Sequence, residues 1–157
     1  MLRIIASSIA AVVRPYDSVG CCGGEEFLIV APGCGMAETW ELAERVRSHV
    51  AGCNIMVDGS SVQVSLSLGI ATGKTAADIE QLLHAADTAL YQAKNAGRNR
   101  VEPSIGRAAS AAQSPSPAPR DFLAVVQLLA EPLFPNRVLS RRPNICSVIE
   151  TPRWPSQ

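Results

Sequence analysis

Net charge is the first thing this sequence lacks: fourteen basic side chains balance fourteen acidic ones. That balance removes the electrostatic argument for a nucleic-acid polymer or an anionic membrane as partner. A long apolar run is also missing. The stretch Ile4 to Val13 is broken by Ser7 and Ser8 and falls short of the ~20 residues a membrane-spanning helix needs, so no membrane segment is expected. The five cysteines include no CxxC pair and no regular spacing, which speaks against a zinc site or a disulfide framework. Adjacent Cys21 and Cys22 make a poor disulfide, because side chains alternate faces along a strand. Reduced thiols and a cytoplasmic setting are the expectation. His49 and His84 have no partner at ligand spacing and read as surface or satisfied residues.

Proline and glycine are unevenly shared. Residues 1–101 hold two of the eleven prolines but ten of the eleven glycines. The shift predicts a folded unit over 1–101, with 102–157 a Pro/Ser/Ala-rich linker and unstructured tail. Within that tail Phe122 to Leu129 is a brief apolar patch able to dock, and the prolines beyond it oppose regular structure.

Within the first unit the periodicities are legible. Arg3 before an apolar run could imitate a secretory signal, but Leu2, Ile5, Ile9 and Val12 recur at helical spacing. A helix is therefore expected, stopping near Arg14 because Pro15 disfavours helical geometry in the residue before it. Ser18–Cys22 and Phe27–Val30 flank Gly23-Gly24-Glu25-Glu26 and predict a β-hairpin. Met36, Trp40, Ala43, Val46 and Val50 mark one face of a helix, with Trp40 expected in the core. Ile55–Val57 and Val62–Ala71 around Asp58-Gly59 predict a second hairpin, whose longer strand has one buried face. A last helix is capped by Thr75 and Asp78, with an apolar stripe from Ile79 to Ala93 and Gly97 as its terminating glycine. The order predicts an α+β fold, an antiparallel-rich sheet with flanking helices.

Three segments in order carry a resemblance to a known family. They are Arg14-Pro15-Tyr16-Asp17 followed by Gly23-Gly24-Glu25-Glu26-Phe27, the strand Val64 to Ala71, and Ala86 to Val101 with Lys94-Asn95-Ala96-Gly97-Arg98-Asn99-Arg100. Together they resemble the GGDEF domain, the bacterial module that makes cyclic di-GMP, across residues 1–101. The resemblance implies a nucleotide-cyclase palm-like fold and the condensation of two GTP into cyclic di-GMP, with pyrophosphate released and a homodimer needed for catalysis. It implies Mg2+ or Mn2+ as cofactor, since hard cations take carboxylate oxygens.

By the same correspondence Glu25 and Glu26 are the catalytic and metal-binding carboxylates. Gly23 and Gly24 let the backbone approach the nucleotide, and Lys94 and Arg98, four apart on one helix face, reach the phosphates. Arg14 and Asp17 match the family's RxxD inhibitory site, with Arg45 as a supporting arginine. For each there is a plainer role: a solvated hairpin tip, cations complementing a helix C-terminus, a surface Arg–Asp pair. Asp87 is expected to orient its helix.

The chain departs from the family pattern twice. Cys21 and Cys22 stand where a basic residue and an aromatic are usual. No segment matches the strand that supplies a metal-binding aspartate, nor the helices that read guanine, so the sheet is expected to lack a central strand. Impaired turnover follows. The alternatives are a degenerate domain that binds cyclic di-GMP through the RxxD site, or a late-started or broken reading frame without function.

Overall fold

Alternating apolar residues bring five strands into one sheet. A computed structural model of the protein describes residues 2–57, 59–73, 79–104 and 123–132. The elements are α1 (Leu2–Ala10), β1 (Ser18–Gly23), β2 (Glu26–Pro32), α2 (Met36–Ala51), β3 (Ile55–Val57), β4 (Ser60–Val62), β5 (Val64–Gly73), α3 (Ile79–Asn95), β6 (Val101–Pro103) and β7 (Leu123–Pro132). Strands β1, β2, β7, β5 and β6 form the main sheet in that spatial order, while β3 and β4 pair separately. Every main-sheet pairing is antiparallel except β5 with β6. This is the α+β, antiparallel-rich architecture expected of the sequence.

The sheet is covered on both faces. On one, Ile5 and Ile9 of α1 and Leu42, Val46 and Val50 of α2 meet Phe27 and Ile29 of β2, Leu66 and Leu68 of β5, and Val126 and Leu128 of β7. Each large apolar side chain fully buried there contributes roughly 1.5–3 kcal/mol. On the other face α3 lays Leu82 and Ala86 against Ala71 and Val125. Gly69 makes that approach possible: a Cβ there would overlap the backbone of Ala86 and Leu90.

The unexpected element is β7. Residues 102–157 do not form a wholly unstructured tail, since Val101–Pro103 and Leu123–Pro132 are strands. β7 sits between β2 and β5, in register from Glu26↔Leu129 to Pro32↔Leu123 and from Val64↔Pro132 to Gly73↔Leu123. The expected gap at the sheet's centre is thereby filled and the inner edges of β2 and β5 are paired. The physical reason is the run Leu-Ala-Val-Val-Gln-Leu-Leu-Ala, which is apolar on both faces as a central strand must be. Proline-rich flanks masked that signal in the composition. Residues 105–122 and 133–157, Phe122 included, lie outside the described residues.

Smaller expectations also change. β5 is buried on both faces through Ala71, Ser65 and Ser67 included, because α3 covers the side that its serines line. The second hairpin divides at Gln63, so that β4 pairs with β3 while β5 joins the main sheet. Its turn residue Asp58, like Thr75 and Asp78, lies outside the described residues. Helix α1 ends at Ala10 rather than near Arg14. On α2 the buried stripe is Thr39, Leu42, Ala43, Val46 and Val50, and Trp40 is 40% exposed. Thr39 can be buried because its hydroxyl donates to the Gly35 carbonyl at 2.6 Å.

Candidate functional site

The tip of the β1–β2 hairpin follows from its pairing. The ladder runs from Ser18↔Val30 to Gly23↔Glu26 and leaves Gly24 and Glu25 to turn. Gly24 has φ 56°, a left-handed conformation that glycine adopts without the Cβ penalty. The register slips between Cys21 and Gly23, making Cys22 the extra residue of a bulge. Cys22 is exposed, yet partial desolvation raises its thiol above the ordinary pKa, helped by the neighbouring Cys21 and Glu26. A Cβ at Gly23 or Gly24 would meet nothing within 4 Å, so the tip stands open, with Glu25 exposed and Glu26 half-buried.

β7 runs alongside this tip. The Ala130 amide donates to the Glu25 carbonyl at 3.1 Å, and the next residue, Glu131, meets Arg98. The Arg98 Nε–H donates to Glu131 Oε1 at 3.1 Å, while Oε2 lies 3.0 Å from the same nitrogen. That second oxygen is buried and accepts no hydrogen bond of its own among the described residues. A second tie joins β7 to α3, from Gln127 Nε2 to Asp87 Oδ1 at 3.3 Å.

Arg98 is not on the helix, as its spacing from Lys94 had implied. α3 ends at Asn95, and Arg98 and Asn99 follow in a turn with φ 61° and 47°. Gly97, with φ 111°, allows the chain to leave the helix, and the Arg98 amide closes it by donating to the Ala93 carbonyl at 3.0 Å. Asn99 Oδ1 accepts from Arg47 on α2 at 3.0 Å, and Arg47 is itself held by Glu44 at 2.9 Å. Lys94, one turn earlier, is half-buried. Among the described residues neither Glu25 nor Glu26 forms an ion pair with Lys94 or Arg98. β7 links the tip and the turn instead.

Carboxylate oxygens are the donor type that magnesium or manganese takes, but no group of three or more His, Cys, Asp or Glu side chains gathers to hold an ion among the described residues. Magnesium commonly needs only one or two carboxylates, with water and substrate phosphates completing its shell. Glu25 and Glu26 fit that use and do not form a self-contained cage.

The Arg14–Asp17 segment is a tight turn. Asp17 Oδ2 accepts the Arg14 backbone N–H at 2.8 Å, and Oδ1 is buried with no hydrogen-bond partner among the described residues. The Arg14 guanidinium turns instead to Cys34 Sγ and the Tyr16 hydroxyl, each at 3.4 Å, so Arg14 and Asp17 do not form an ion pair. Cys34 raises the Arg14 pKa further; burial opposes this, and Tyr16 and Asp17 reinforce it. Burial raises the Cys34 thiol, with Arg14 opposing. Arg45 is exposed on α2. His49 lies at a shallow groove of about 400 Å³ beside Arg3 and Ser7, away from the hairpin.

Sequence reasoning missed Glu131, Asn99 and Arg47. Glu131 ends the apolar run that became β7, which was its only local signal. The contact of Asn99 with Arg47 spans fifty-two positions and had no signal at all.

These observations define a class: a two-sided α+β domain that sets an acidic hairpin tip beside a cationic helix end. Residues 1–100 match the family described as Diguanylate cyclase, GGDEF domain, and the chain belongs to that family. It is similar to the response regulator PleD of Caulobacter vibrioides, 37% identical over 112 residues that cover 69% of this chain and 24% of PleD. It is also similar to the diguanylate cyclase DosC of Escherichia coli K12, 41% identical over 103 residues that cover 65% of this chain and 22% of DosC. The chain thus spans about a quarter of the length of these relatives. Among the described residues no helix is long and apolar enough to cross a membrane.

Proposed function

We propose that this chain is a diguanylate-cyclase-type domain that takes GTP and, with a second copy face to face, condenses two GTP into cyclic di-GMP. In that reaction the 3′-hydroxyl of each nucleotide attacks the α-phosphate of the other. A new O–P bond forms, the bond to the pyrophosphate leaving group breaks, and the hydroxyl proton is released. Such chemistry rests on placement and charge neutralisation more than on covalent participation by the protein.

Lys94 and Arg98 bind the phosphates, Lys as a point charge and Arg as a planar fork. Glu25 and Glu26 hold magnesium or manganese, which supplies positive charge to the phosphoryl oxygens. Gly24 allows the sharp tip that brings these carboxylates forward. The observation that carries the reading is the convergence through β7, with Ala130 bonded to Glu25 and Glu131 to Arg98.

The test is calorimetry with GTP and magnesium on the full chain, followed by chromatography for cyclic di-GMP. Binding is expected to be lost in Lys94→Ala, and product formation to vanish in Glu25→Ala. GTP binding that ignores Lys94 overturns the reading.

A second reading is favoured by the unpartnered Asp17 Oδ1: cyclic di-GMP binds through Arg14, Asp17 and Arg45. This requires the Arg14 guanidinium to swing away from Cys34. Binding that disappears in Arg14→Ala and survives in Glu25→Ala supports it. No binding to the intact chain removes it.

A further inference from the structure

The turn after α3 is held from both sides. Arg98 and Asn99 occupy left-handed backbone conformations that non-glycine residues adopt rarely, and such conformations persist only when the surroundings hold them. Here α2 holds Asn99 through Arg47, and β7 holds Arg98 through Glu131. The way in which Glu131 holds Arg98 matters chemically. Both of its oxygens lie at Nε, at 3.1 and 3.0 Å, and among the described residues the terminal amino groups of Arg98 have no hydrogen-bond partner. A guanidinium carries five N–H donors in a rigid fork. Anchoring it by the inner one fixes the plane and leaves four donors presented outward. Arg98 is 59% exposed while the Glu131 side chain is 21% exposed, so the anchor is the more buried member and the cation is the one displayed.

We propose that Glu131 is the positioning residue for Arg98: it grips Nε from the end of β7 and aims the terminal amino groups at a polyphosphate. The inference rests on the nucleotide reading above for the identity of the ligand, but its ligand chemistry is the phosphate chain alone. It places a determinant of the site on a strand that carries none of the three motif segments. The same half-buried side chain cannot also embrace the ligand, since a carboxylate repels phosphate. Its action therefore goes through Arg98.

The experiment uses the full chain with two probes, tripolyphosphate and magnesium GTP, in calorimetry on Glu131→Ala, Glu131→Gln, Arg98→Ala and the Glu131→Ala/Arg98→Ala double variant. Glutamine keeps an oxygen that can accept from Nε, so Glu131→Gln is expected to bind tripolyphosphate about as well as the unaltered protein. Glu131→Ala is expected to weaken it roughly 2- to 5-fold, the scale of an exposed ion pair, and to add nothing when Arg98 is already alanine. In nitrogen-15 spectra the Arg98 Nε–H signal is expected to be sharp in the unaltered chain and in Glu131→Gln, and to be lost in Glu131→Ala. Equal or tighter binding by Glu131→Ala overturns the proposal, because Glu131 would then compete with the ligand. Weakening that persists in the double variant overturns it too, by showing a merely structural role. Should the chain bind tripolyphosphate with the expected pattern but not GTP, the positioning role stands and the GTP reading falls. GTP binding indifferent to Arg98 overturns the positioning role and takes Arg98 out of the GTP reading, which then rests on Lys94, Glu25 and Glu26. Binding of neither probe overturns both.

Discussion

Strands β2 and β7 lie side by side over seven paired residues, Glu26–Pro32 against Leu123–Leu129, yet they serve the domain in opposite ways. β2 begins at an exposed tip carrying the family's signature, and only its alternate residues Phe27, Ile29 and Ala31 are buried. β7 carries no signature, and Ala124, Val125, Val126, Leu128, Leu129 and Ala130 are all buried. The difference shows that the recognisable part of a site and the part that holds it in place need not share a strand. Chemistry needs exposed polar groups on a permissive turn, whereas support needs apolar burial on both faces, which leaves no motif to notice.

The comparison can be broken most forcefully at β7. Leu128 is fully buried, and Leu128→Ala is expected to cost about 2–5 kcal/mol through lost burial and the cavity left behind. Chemical denaturation measures this directly. A loss well under 1 kcal/mol would mean that β7 is not the central strand in solution. Gly69→Ala, on β5, probes the same sheet centre from the face that α3 covers. It pushes the helix backbone outward, with an expected loss of about 1–3 kcal/mol typical of overpacking, read from the same denaturation curve.

At the motif end the expectation reverses. Glu25→Gln removes an exposed carboxylate and should change stability by less than about 0.5 kcal/mol, while abolishing detectable cyclic di-GMP formation. Coincident melting curves with unequal product yields would sharpen the contrast; parallel losses of both would dissolve it. The smallest effect is expected at Cys34. Its thiol pKa is raised by burial above the ordinary value of 9.0, so the folded state favours the protonated form. The associated stability is full below pH 9 and is lost as pH rises through the folded-state value. Cys34→Ala should therefore flatten the decline of stability in alkaline solution, which melting temperatures recorded from pH 7 to 10 would show.

Much of this was readable from local pattern. The hairpin around Gly23–Glu26, the helical stripe Leu82, Ala86, Ala89, Leu90 and Ala93, and the alternation of Val64, Leu66 and Leu68 are short-range periodicities, and each element formed close to its expected bounds. Trp40 shows the limit of periodicity: a helix wheel gives the angle of a face but not its width, and α2 turned Thr39 and Leu42 inward instead. Arg98 shows another. Four-residue spacing implies a shared helix face only while the helix continues, and Gly97 had already ended it.

Sequence by itself determined the family, the α+β class and the residue types at the hairpin tip and the helix end. These depend on neighbours within a few positions, where spacing and turn chemistry act directly. Tertiary structure alone decided that residues 123–132 occupy the middle of the sheet, that β5 is buried on both faces, and that Glu131 meets Arg98 thirty-three positions away. Burial is a property of what packs against a strand, and an ion pair between distant residues exists only once the chain has closed the loop that joins them.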